Sequence, residues 1–125
     1  MTAAPHRTSF IEHRGVRLCF LDFHDVSDTP RALEAIAEAR AIVARQPPRS
    51  VRTLVYVKGS RFDQEIVKAM KELAEHNKPF VIASAIVGME RLHRVVLTAV
   101  ATFTRRKFAT FTDLDAAKDW LAQQQ

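Results

Sequence analysis

Glycine is scarce in this chain: Gly15, Gly59 and Gly88 are the only three among 125 residues. Neither a Walker phosphate loop nor a Gly-x-Gly-x-x-Gly dinucleotide turn can be assembled from them. His-Glu-x-x-His and Gly-x-Ser-x-Gly are also missing, which removes the common zinc-peptidase and hydrolase signatures. A single cysteine, Cys19, allows no internal disulfide, so a reducing cytoplasm is the expected location. In its apolar surroundings Cys19 reads as a small buried hydrophobe. No apolar run approaches the roughly 18 residues of a membrane span. The stretch from Met1 to Ser9 lacks the apolar centre of a signal peptide.

Metal and catalytic patterns are equally thin. His6, His13, His24, His76 and His93 show no ligand spacing. The segment from Asp22 to Asp28 holds three carboxylates and a histidine, but it lacks the glycine bend and distal glutamate of a calcium loop. A solvated loop that caps the next helix is the expectation, with no metal and no cofactor. A Ser–His–Asp set needs no closeness in sequence, yet nothing in the pattern points to one. The chain therefore reads as non-enzymatic.

What is present is an ordinary globular composition, 47% hydrophobic and 26% charged. The length fits a single domain over 1–125, with 1–8 as a loose tail. The net charge is +5, and the basic residues are dispersed apart from Arg105-Arg106-Lys107. Without a basic tail or an aromatic–basic platform, nucleic acid is not the expected partner.

Patterning is informative. Ser9–Glu12 and Val16–Phe23 read as strands joined at His13-Arg14-Gly15. Leu18 and Phe20 would face one way, and Cys19, Leu21 and Phe23 the other, so the second strand should be covered on both sides. Thr29 as N-cap and Pro30 open a helix with Leu33, Ile36, Ala37, Ala39 and Val43 inward. Leu54–Val57 forms a short buried strand, and after Gly59 the apolar spacing turns helical at Phe62, Ile66, Met70 and Leu73. Ser60-x-x-Asp63 resembles a capping box. Phe80–Ile86 is the next strand. The helix after it carries a wide stripe, Met89, Leu92, Val95, Val96, Ala99, Val100 and Phe103, which predicts deep packing. Phe108–Phe111 and a last helix with Leu114, Ala117, Trp120 and Leu121 complete the order ββαβαβαβα. That order predicts an α/β fold: a single sheet of about five mostly parallel strands with an N-terminal hairpin and four helices.

The working surface of such a sheet lies at the carboxyl ends of its strands. Lys58, Gly59, Ser60, Arg61 and Phe62 occupy that edge and form the candidate partner loop. Arg91 and Arg94 stand in the first turns of the third helix, where the dipole disfavours cations. They are candidate contacts for an anion or acidic partner, or else two solvated arginines. Phe10, Phe20, Phe23, Phe80 and Phe103 either fill the core or line a cavity for a small apolar ligand or lipid.

At Tyr56-Val-Lys-Gly-Ser60, Asn77-Lys-Pro-Phe80 and Ala116-Ala-Lys-Asp-Trp-Leu121 the chain resembles the SpoIIAA-like branch of the STAS domains, small bacterial proteins mostly of unknown activity. The likeness runs from about Ser9 to Leu121. It implies the same α/β layer and a regulatory, protein-binding role resembling that of anti-sigma factor antagonists. In better-studied members a phosphorylatable serine starts the helix after the central strand. Ser60 takes that place by position, although no acidic residue precedes it and the Asp-Ser-Ser/Thr-Gly motif is not matched. The expectation is thus a non-enzymatic interaction module, with a phosphorylatable loop and an unidentified protein partner. A small apolar-ligand or lipid binder is the alternative.

Overall fold

Arg14 and Gly15 both take positive φ, 53° and 76°, and so form a tight two-residue hairpin turn between β1 (Thr8–His13) and β2 (Val16–Asp22). A computed structural model describes residues 6–125. After the hairpin the chain alternates: α1 (Thr29–Val43), β3 (Val51–Tyr56), α2 (Gln64–Asn77), β4 (Val81–Val87), α3 (Arg91–Thr104), β5 (Ala109–Phe111) and α4 (Leu114–Ala122). The five strands lie in sequence order, β1-β2-β3-β4-β5, with β1 antiparallel to β2 and every later pair parallel. The strand containing Leu54 is therefore central.

Because each crossover joins neighbouring parallel strands with one hand, α1, α2 and α3 fall on the same face. The strand side chains alternate accordingly. Cys19, Leu21, Phe23, Val51, Val57 and Ile86 pack in the cluster that includes α1 and α2. Leu18, Leu54, Ala85 and Val87 pack with Ala117 and Leu121 of α4 on the other face. The split of Leu18 from Cys19 and Leu21 is the one the alternation predicts. Among the described residues, no helix is long and apolar enough to cross a membrane.

Several boundaries differ from the sequence expectation. The N-caps of α1, α2 and α4 are Asp28, Asp63 and Asp113, whose carboxylates accept from Arg31, Ile66, and Asp115 and Ala116 amides. Thr29 is the first residue of α1, and Ser60 caps nothing. A carboxylate makes the stronger bond to a free helix amide, and here it takes the place of the nearby hydroxyl. On α1 it is Ala32 and Ala35 that are buried with Ile36, Ala39 and Val43, while Ala37 is exposed. The predicted loose tail also ends earlier than position 8. Thr8 is buried in β1, and the Arg7 and Thr8 amides donate to Glu38 on α1 at 2.8 and 2.7 Å. The rest of that tail, 1–5, lies outside the described residues.

Candidate functional site

The loop after β3 is stitched into its neighbours. Val57 N–H donates to Val87 O at 3.0 Å, Arg61 N–H to Val26 O at 2.9 Å, and Asp25 N–H to Lys58 O at 2.8 Å. Lys58, Gly59 and Arg61 are exposed. Ser60 is not: it is 5% exposed, its hydroxyl donates to Val57 O at 2.5 Å, and its N–H closes the same turn. The serine singled out by position is thus directed inward, and modification would require the turn to open.

His93, on the first turn of α3, holds this turn from above. Its Nδ1 accepts from the Glu90 amide at 2.9 Å, which leaves the proton on Nε2, and Nε2 donates to Ser60 O at 2.8 Å. Phe62 is half-buried with its ring centroid 5.4 Å from that of His93. No sequence spacing linked these residues, because the bond joins positions 33 apart. Arg91 and Arg94 are exposed on the same turns and make no ion pair among the described residues.

The wide apolar stripe of α3 does not mean deep burial. His93, Val100 and Thr104 turn inward. Leu92, Val95 and Phe103 are 78%, 68% and 57% exposed. The helix packs along α2, and no element among the described residues covers its outer side, so only half of the stripe finds a neighbour.

Beneath α2 and α3 lies an apolar cavity of about 100 Å³. Val55, Leu73, Ile86, Leu97, Val100 and Phe108 form much of its wall, and the Phe62 and His93 rings stand at the end near the partner loop. Of the five phenylalanines expected to line such a space, only Phe23 does. Phe20 packs on the α4 face, and Phe103 points to solvent. Phe62 and Phe108 take the others' place.

The opposite end of the cavity is polar. Thr53 and Ser84 are paired across β3 and β4, and their hydroxyls lie 2.5 Å apart. Arg106 reaches in from the basic cluster after α3. It donates to Ser84 Oγ at 2.7 Å and to Ala74 O, on the last turns of α2, at 3.0 Å, and lies 4.7 Å from the Phe108 ring centre. Burial pushes its pKa down to about 10, opposed in part by Glu75, so it stays charged at neutral pH. A thiolate nucleophile is not available: burial pushes Cys19 up to about 11.

A second, open depression at the carboxyl edge is lined by Tyr56, Lys58, Glu90, Asp113, Asp115 and Lys118, charges of both signs. Asp22 contacts the His24 ring, which faces Tyr56 at 5.7 Å. Among the described residues no group of three or more His, Cys, Asp or Glu is placed to hold a metal ion. Comparisons with family models, with curated proteins and with solved structures find no match to this chain.

Proposed function

We propose that this protein is a non-enzymatic binder of a small apolar ligand, held between the sheet and the pair α2–α3. The observation that carries the reading is the cavity itself. Well-packed interiors leave few voids larger than a water molecule, and a somewhat larger void with a purely apolar wall stays dry and takes up small apolar molecules. The wall is almost wholly aliphatic and aromatic, with its few polar groups gathered at the two ends. Such an arrangement orients a ligand while its apolar body is desolvated.

The second reading is a STAS-type interaction module. It is favoured by the exposed Lys58, Gly59 and Arg61 at the carboxyl end of the central strand, next to the uncovered Leu92 and Val95 of α3. The element order agrees with that family's layer.

One sample decides between them. Protein purified from its source cells is weighed by native mass spectrometry, and its melting is followed with pentan-1-ol added. The ligand reading expects a saturable rise in Tm, as for any molecule that binds only the folded state. It also expects that rise to vanish in Val100→Phe, which fills the cavity. A bare mass with no rise in Tm would overturn it. A protein partner that co-purifies and is lost in Lys58→Glu/Arg61→Glu would favour the second.

A further inference from the structure

Among the described residues, Arg106 is the one charged group in the cavity wall. An arginine that is turned inward ordinarily has a carboxylate partner, because an uncompensated buried charge is costly. Arg106 makes no ion pair among the described residues, and Glu75 offsets its burial only in part, through space. Its bonds to Ala74 O and Ser84 Oγ use two of the five N–H donors of a guanidinium. Both acceptors are neutral. The Phe108 ring holds the planar group in place. The result is a fixed, charged fork at one end of an otherwise apolar chamber.

From this geometry we infer that the ligand is a small carboxylic acid, with its carboxylate on Arg106 and its short apolar chain along Val55, Ile86, Leu73 and Val100. This rests on the ligand-binding reading and narrows it. A planar monoanion matches the planar fork, and among the described residues no second cation lines the cavity to favour a phosphate. The Ser84 hydroxyl accepts from the guanidinium and is bonded to that of Thr53, so the pair keeps one free O–H to donate to the second carboxylate oxygen. Size limits the chain. The cavity is about 100 Å³, smaller than the roughly 150 Å³ of an apolar cavity that takes up benzene. A body of about five carbons fits without displacing a helix.

The alternative role for Arg106 is purely structural, as a tie between the end of α2 and β4. Paired ligands separate the two. Calorimetric titration at pH 7 compares pentanoate, ionised there, with pentan-1-ol of the same chain. The inference expects pentanoate to bind about tenfold more tightly, the scale of a hydrogen bond to a charged group. In Arg106→Met pentanoate should lose that advantage while pentan-1-ol binds as in the parent. Arg106→Lys should keep part of the preference for the acid. Equal affinity for acid and alcohol in the parent protein would overturn the acid assignment and leave the apolar-ligand reading intact. Binding of neither would overturn both. The parent comparison stands even where Arg106→Met fails to fold.

Discussion

Gly88 is the residue at which the carboxyl edge is tightest. It has φ +83°, and a Cβ built on it would lie 2.9 Å from Lys58 Cβ and 3.1 Å from Lys58 N. Backbone cannot step aside, so Gly88→Ala meets both a steric conflict and a disfavoured dihedral. Gly59 has φ +74°, but its conflict is with Asp25 Oδ1 at 2.1 Å, the end of a side chain that can rotate away. We expect Gly59→Ala to cost about 1–2 kcal/mol and Gly88→Ala about 2–4 kcal/mol. Urea unfolding of the two variants checks the order, and an equal loss would show that the loops do not depend on this approach. Glycine positions were legible in the sequence because so few occur. Ser60 was legible only as a position. Its direction depends on His93, which reaches it from a helix 33 residues on, and no local pattern encodes that bond. Arg106 was hidden for a related reason. It stands in a basic triplet whose other members, Arg105 and Lys107, are exposed, and nothing in the triplet marks the middle residue as turned inward.

Elements were read well where period and punctuation agreed. The switch from a short buried strand to helical spacing, the Gly15 turn and the Pro30 helix start all appear, although β3 begins at Val51, before the expected Leu54, and ends at Tyr56. Caps were less legible, because an aspartate close by wins the helix amides from the expected hydroxyl: Asp28 stands just before Thr29, and Asp63 three residues after Ser60. The α3 stripe misled because helical spacing records how much of a helix is apolar, not how much of it has a neighbour. β1 shows another tertiary effect that sequence does not carry. Glu38 on α1 fixes its start by accepting from the Arg7 and Thr8 amides. Partial burial raises the pKa of Glu38, but the bonds from His6, Thr8 and Arg7 outweigh it and hold the carboxyl below its ordinary 4.5. A carboxylate with a depressed folded pKa stabilises above its unfolded value and loses that contribution as pH falls through the folded one. The anchoring of β1 should therefore be complete above about pH 4.5 and weaken in more acid solution. Glu38→Gln should flatten the acid limb of the stability curve and speed hydrogen exchange at the Arg7 and Thr8 amides at neutral pH. Unchanged exchange there would show that β1 is held by its pairing with β2 alone.

The molecule as a whole has one sheet and two unlike faces. On one, α4 lies close over Leu18, Leu54 and Ala85, with Ala117 and Leu121 fully buried between. On the other, α2 and α3 leave the cavity with its polar end at Arg106, Ser84 and Thr53. The alternation of Leu18 against Cys19 and Leu21 made the two-sided sheet legible. The cavity was not, since packing gaps depend on how larger and smaller side chains meet across three elements. That asymmetry gives the account its most direct test. Side-chain methyls of the isotope-labelled protein are followed by NMR as pentan-1-ol is added. The account predicts saturable shifts at Leu73, Ile86, Leu97 and Val100, with Leu18, Leu54, Ala85 and Leu121 unmoved. No shifts, or shifts centred on the α4 face, would contradict it.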